Sequence, residues 1–290
     1  MGYCQLGDES NWRSRNTKSI LDAAKGAGIH VMYEEAMQKQ DNQIKAIRSF
    51  ISYQVDIIAF SPIVESGWDD VLKEANEAKI PVVILDRNIN VKNEDLYTCF
   101  IGSDFIQEGI YAGEYALEKY KEQTDPVYIV ELKGTDNSTP AIGRTRGFMN
   151  IIQGDQKFQI VQSISGDFML SRGKEIIRER LERYGAEQMD LLYSHNDEMT
   201  QGAIEELREY GLMPGVDVAI ISVDAGQEMI NYLKMGMINC SIECNPNSGQ
   251  LLVDSVKKIL NGGKVDKIIY LEEEVFTEFD DLSAIEPRDY

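Results

Sequence analysis

The chain has 290 residues, and at roughly 100–200 residues per domain that length is a prior for two domains, each able to bury its own core. Lys and Arg total 29 against 49 Asp and Glu, a formal charge of −20, with 43% apolar residues and 7 Pro, the composition of an ordered globular protein rather than a disordered acidic tail. That charge repels phosphate backbones and anionic membrane surfaces, and no apolar stretch approaches the roughly 18 residues of a bilayer span, so the sequence argues against nucleic acid as a partner and against a transmembrane protein.

Short runs rich in Val, Ile and Tyr alternate with longer segments of helical period, the pattern of repeated βα units around largely parallel sheets. Residues 2–6 read as a strand and 12–27 as a helix with Ile20, Ala23, Ala24 and Ala27 on one face, ended by the glycines at 26 and 28. A strand at 30–33, a helix at 40–52, a strand at 56–61 and a helix at 67–78 follow, the last with Trp68, Val71, Leu72 and Ala75 as a core-facing stripe. The strand at 81–85 is too apolar to have a wet face, as expected of a parallel strand covered on both sides, and a strand at 97–101 closes the first half.

From Asp104 the alternation restarts, with helices at 104–120, 140–152, 170–184, 198–210 and 226–235 between strands at 126–131, 158–165, 191–194 and 218–223. Charges such as Arg178 and Arg180 among Glu175, Glu179 and Glu182 read as a solvated helix face. A strand at 238–243, a helix at 248–260 and a strand at 267–271 are too short for a third domain and are expected to complete the other two. No Gly-, Ser- or Pro-rich linker lies near residue 104, so the crossing there is an ordered one.

Cys4, Cys99, Cys240 and Cys244 show no C-x-x-C spacing and hence no zinc or redox motif. Cys240 and Cys244 fall in one predicted strand, about 13 Å apart along it, beyond the roughly 7 Å reach of a disulfide. Buried free thiols are the expectation.

Open α/β sheets bind ligands beyond the carboxyl ends of their strands. There the sequence places Trp12 and Arg13, then Asp86 and Arg87, then Arg144 early in a helix, then His195, Asn196 and Asp197, then Asp224, and finally Glu243. Carboxylates and guanidinium groups beside an aromatic face suit a sugar, whose rim takes charge-assisted hydrogen bonds while its apolar face stacks. The competing structural explanation is that Asp and Asn at strand ends are helix N-caps and that Trp12, like Trp68, is core. Enzyme signals are thin: His30 falls in a strand, and His195 could serve as a base but has no G-x-S-x-G beside it. Neither dinucleotide nor phosphate-binding glycine loops nor calcium-loop spacings occur, so no cofactor and no metal is expected.

The segments from Gln5 to Arg13, from Gln38 to Phe50, from Ser61 to Trp68, Leu85-Asp86-Arg87, Ser165-Gly166-Asp167-Phe168, His195-Asn196-Asp197 and Val223-Asp224 resemble the periplasmic sugar-binding proteins of bacterial ABC importers. The similarity is to the ribose- and galactose-binding type and, within it, the galactofuranose-binding branch, over nearly the whole chain. The resemblance implies an α/β protein of two Rossmann-like, doubly wound parallel-sheet lobes joined by a three-segment hinge. One lobe would comprise 1–103 and 245–272, the other 104–244 and 273–290, with a monosaccharide in the cleft between them.

The contacts it implies are Trp12 stacking on the sugar beside Arg13, Asp86 and Arg87 from the first lobe, and Arg144, Asn196, Asp224 and Glu243 from the second lobe and hinge. Ser10 and Asn137 are further additions, and Phe168 supplies a second apolar wall. Asp8, Asn11 and the run Thr135-Asp136-Asn137-Ser138 depart from the galactofuranose pattern and bear on which sugar fits. The implied activity is binding without turnover by a monomer, in the periplasm or outside the cell, as a secreted or lipid-anchored chain after loss of a leader. A membrane permease would be the partner. The same fold would also serve a sugar-sensing ectodomain of a membrane receptor or the effector core of a repressor.

Overall fold

A computed structural model of the protein describes residues 1–8 and 10–290; Glu9, within the first resemblance segment, lies outside the described residues. The chain forms two compact units, Met1–Ser103 with Asn137–Thr139 and Asn245–Glu272, and Asp104–Asp136 with Pro140–Cys244 and Glu273–Tyr290.

The first unit begins β1 (Gly2–Gln5), α1 (Asn11–Gly26), β2 (Met32–Glu35), α2 (Gln40–Ser52), β3 (Ile58–Phe60), α3 (Asp69–Glu77), β4 (Val82–Leu85) and β5 (Cys99–Gly102). The second unit then runs α4 (Phe105–Lys119), β6 (Val127–Lys133), α5 (Thr139–Ile152), β7 (Phe158–Ser165), α6 (Leu170–Tyr184), β8 (Leu191–Ser194), α7 (Asp197–Glu209), β9 (Ala219–Asp224), α8 (Gln227–Lys234) and β10 (Cys240–Glu243). The chain returns to the first unit for α9 (Gly249–Leu260) and β11 (Ile268–Tyr270) and to the second for β12 (Val275–Thr277). Sheet order is β11-β5-β4-β3-β1-β2 in the first unit and β12-β10-β9-β8-β6-β7 in the second. Every pairing in the first sheet is parallel. In the second, β12 alone among the described strands runs antiparallel, along β10.

The apolar run 82–85 shows why these strands are covered on both faces. Successive side chains point to opposite sides of a sheet, so Val82 and Ile84 join one cluster with Phe50, Phe60 and Trp68, while Val83 and Leu85 join another with Ile20 and Leu252. Trp68 is fully buried, its ring 5.0 Å from Phe60, and is core as its stripe implied.

Some expectations are corrected. Arg180 is not on a solvated face: it is only 4% exposed and donates to the Gln188 carbonyl at 2.6 Å. Its position, three and four residues after the buried Ile177 and Ile176, puts it on the packed stripe, whereas Arg178 is half exposed and pairs with Glu206. His30 is exposed and precedes β2 rather than lying in it. Cys244 follows β10 instead of ending it; all four thiols are free and buried. β12 was not read from the sequence, because three residues after a run of three glutamates are too few to show a period. No helix among the described residues is long and apolar enough to cross a membrane.

Candidate functional site

In the first unit the chain leaves β1 into the loop before α1, and Ser10 caps that helix, its hydroxyl accepting from the Arg13 amide at 3.0 Å. The cap sets the first turn, in which Trp12 and Arg13 are both buried, with the Arg13 guanidinium 4.6 Å from the centre of the Trp12 ring. Arg13 Nη1 reaches Asp86 Oδ2 at 2.6 Å. Asp86 sits directly after β4 with φ 59°, a left-handed conformation that an Asp tolerates better than most residues, and its amide is held by the Ile101 carbonyl at 2.8 Å. Arg87 is buried and donates to the Ile63 carbonyl at 3.2 Å. Four sequence-predicted residues, Trp12, Arg13, Asp86 and Arg87, thus form one buried aromatic and ionic cluster at the carboxyl edge of this sheet. Asn137 also belongs to this unit, exposed, at φ 62°, its carbonyl accepting from Glu65 N.

In the second unit Arg144 is the centre. Its guanidinium donates from Nε to Glu108 Oε2 at 2.6 Å and from Nη1 to the His195 carbonyl at 2.5 Å, and it lies 5.4 Å from the centre of the Phe105 ring. Burial opposes its charge, but Glu108 and the other acidic groups around it outweigh burial and hold it protonated. The pair forms because α4 and α5 touch backbone to backbone: a Cβ on Gly109 would stand 2.2 Å from the Arg144 carbonyl oxygen, and one on Gly147 2.1 Å from that of Ile106.

Asn196 and Phe168 are joined. Asn196 Oδ1 caps α7 by accepting from Met199 N at 3.1 Å, and its Nδ2 donates to the Phe168 carbonyl at 3.1 Å and to Glu198 at 2.7 Å. The capping explanation therefore holds for Asn196, whose amide also anchors the turn carrying Phe168. Phe168 has φ 63°, belongs to the apolar core of this unit, and covers Gly134, where a Cβ would be 1.8 Å from the ring.

Asp224 ends β9 at φ 116°, with Asp197 N 3.4 Å from its Oδ2. Asp197 accepts from the Ser222 hydroxyl at 2.8 Å and from Gly226 N at 2.7 Å. Burial pushes both carboxyls well above their ordinary value, and the Asp197 charge adds to the effect on Asp224. Two such neighbours favour keeping a proton, which supplies an O–H donor beside acceptor oxygens. Glu243, at the end of β10, is paired with Arg288, accepts from Tyr290 Oη at 3.1 Å and from Glu274 N at 3.0 Å.

Sequence reasoning missed Glu108, Glu131, Arg288 and Tyr290. Glycines four apart on both α4 and α5, Gly109 with Gly113 and Gly143 with Gly147, were a readable signal of the close crossing that makes the Glu108 pair. Arg288 is the single basic residue in 268–290. His195 is fully buried, its Nε2 3.2 Å from Glu131 Oε1. Thr145 and Ser163 donate to Glu131, not to the imidazole. Burial opposes the Glu131 charge, but hydrogen bonds from His195, Ser163 and Thr145 outweigh it and hold this carboxyl at about 2. Glu108, Cys244 and Glu273 place candidate ligand atoms within 4.8 Å of one another, yet the Arg144 cation already occupies Glu108, which makes the spot poorly suited to a metal ion.

A periplasmic binding protein domain model matches residues 4–264. The galactofuranose-binding protein of Escherichia coli (strain K12) is 36% identical over 272 residues, 93% of this chain and 85% of that protein. A Mycobacterium smegmatis structure in complex with β-D-fucofuranose superposes with a TM-score of 0.94 at 41% identity, covering 98% of this chain and 92% of the other. The binding-protein component of the arabinose ABC transporter from Shewanella sp. ANA-3, bound to α- and β-L-arabinofuranose, gives 0.92 at 39% identity, covering 98% and 93%.

Proposed function

The chain belongs to the periplasmic binding protein family, and we propose that it is the substrate-binding protein of an ABC sugar importer, binding one monosaccharide without chemical turnover. Membership carries the fold of two parallel-sheet α/β lobes and a periplasmic location. The observation that carries the reading is the pair of ionic clusters at strand carboxyl edges, Arg13 with Asp86 in one unit and Arg144 with Glu108 in the other. In this reading Trp12 stacks on the sugar, Arg13, Asp86 and Arg87 hold its rim from one lobe, and Arg144, Asn196, Asp224 and Glu243 hold it from the other, with Phe168 as the second wall and Ser10 and Asn137 at the margin. A sugar that completes its contacts only when both lobes engage it shifts an open–closed equilibrium by its differential affinity, and a membrane permease reads the closed form. The protein acts as a monomer.

Three relatives named above carry furanose sugars or the name of one, so the reading favours an aldose or ketose in the five-membered ring form. A thermal-shift screen against L-arabinose, D-galactose, D-ribose, D-fructose and D-glucose tests it. A ligand that binds only the native state raises the unfolding midpoint once its concentration exceeds the dissociation constant. A concentration-dependent rise with one of these sugars is expected; no rise with any contradicts the monosaccharide assignment.

A further inference from the structure

The residues Glu286–Tyr290 lie across two of the strand ends that carry candidate sugar contacts, and this is not a feature of the βα pattern. Arg288 N donates to Gln227 Oε1 at 2.7 Å, and Gln227 N donates to the Tyr290 carbonyl at 2.6 Å, which ties the segment to the first residue of α8. That helix begins three residues after Asp224, and the same carbonyl lies 3.4 Å from where a Cβ on Gly226 would stand. On the other side the Arg288 guanidinium pairs with Glu243 Oε1, the Tyr290 hydroxyl donates to that oxygen at 3.1 Å, and the guanidinium lies 5.0 Å from the centre of the Phe276 ring and 5.4 Å from that of Tyr290. The Arg288 and Glu243 side chains are only 11% and 9% exposed, so the pair is largely shielded from screening.

We propose that Glu286–Tyr290 forms a strap in which Arg288 and Tyr290 are positioning residues of the sugar site, setting the Glu243 carboxylate while the backbone fixes the turn after Asp224. Neither side chain need touch the sugar. A guanidinium and a phenol on one carboxylate oxygen, with the Glu274 amide on the other, leave that carboxylate one orientation, and orientation is what a hydrogen bond to a ring hydroxyl requires. The inference rests on the monosaccharide reading.

Calorimetric titration with L-arabinose, D-galactose and D-fructose tests it on the full chain, in wild type, Arg288→Ala, Arg288→Lys, Tyr290→Phe, Glu243→Gln and the Arg288→Ala/Glu243→Gln double variant. Arg288→Ala is expected to bind about tenfold more weakly than wild type, with Arg288→Lys recovering part of the loss; in the Glu243→Gln background the same change should cost no more than about twofold, the coupling expected of residues that act as a unit. A merely structural contribution would cost the same in both backgrounds, and that result overturns the proposal. Tyr290→Phe removes a single hydroxyl and keeps the test open if Arg288→Ala unfolds: about threefold weaker binding is expected, and unchanged affinity overturns the proposal. Wild-type binding with unaffected variants sinks only the strap, whereas a wild type that binds none of these three sugars, nor D-ribose or D-glucose, sinks the strap together with the monosaccharide reading.

Discussion

Glu108 and Arg144 meet at 2.6 Å with side chains 1% and 3% exposed, and they can do so only because α4 and α5 cross at glycine. The carboxylate neutralises and aims the guanidinium, and a second hydrogen bond to the His195 carbonyl fixes it to the end of β8. The Arg144 guanidinium is thereby held by α4 and by the end of β8, and in the proposed sugar site that pre-arrangement lowers the ordering cost of binding.

Glu108→Ala would leave Arg144 buried without its counter-ion. Removing one partner of a buried pair typically destabilises by about 3–5 kcal/mol, so a clear fall in the denaturation midpoint by urea unfolding is expected. Gly109→Ala attacks the same pair through the backbone, and forcing the helices apart should cost about 1–3 kcal/mol. Wild-type stability in both variants would mean that the pair is dispensable.

Gly134→Ala should displace Phe168, since the added methyl falls inside the ring. The Phe168 carbonyl is also the acceptor for Asn196 Nδ2, so the displacement is transmitted to the start of α7. Sugar affinity measured by calorimetry is expected to fall at least about tenfold, equivalent to 1.4 kcal/mol. Retained affinity would remove Phe168 from the site.

Trp12→Ala should weaken sugar binding by about 1–3 kcal/mol if a ring stacks on the indole. Titration of the folded variant checks it, and an unchanged dissociation constant would return Trp12 to a packing role.

The acid limb of stability should carry the signature of Glu131. Its carboxyl is held at about 2 in the fold against an ordinary 4.5, so its contribution is complete above 4.5 and is lost as pH falls from 4.5 to about 2. A shift of that size corresponds to about 3 kcal/mol. His195, kept neutral by burial, adds loss in the same direction from its ordinary 6.5 downward, because the unfolded chain takes up that proton first. Urea denaturation from pH 7 to 2 should therefore show a shallower acid slope for Glu131→Gln than for wild type; parallel slopes would contradict it.

The fold was legible where sequence period carries the signal. Apolar strands such as 82–85 and stripes such as Trp68, Val71, Leu72 and Ala75 depend on local spacing, and the structure places them as expected. The short antiparallel β12 and the exposure of single charges such as Arg180 were not legible, because both depend on what another part of the chain presents. The same division runs through the site. Strand-end positions point to Arg144 and Glu243 as candidates, while the partners that pair with them, Glu108 and Arg288, sit on other elements at sequence distances no local motif encodes.

The most direct test of the account is calorimetric titration of wild type, Asp86→Ala and Arg144→Ala with L-arabinose and D-galactose, each variant first shown to unfold cooperatively. One-to-one binding of at least one of these sugars to wild type is expected, with loss of measurable binding in both variants, one from each unit. Unchanged affinity in both folded variants would contradict the claim that residues of both units jointly hold one monosaccharide.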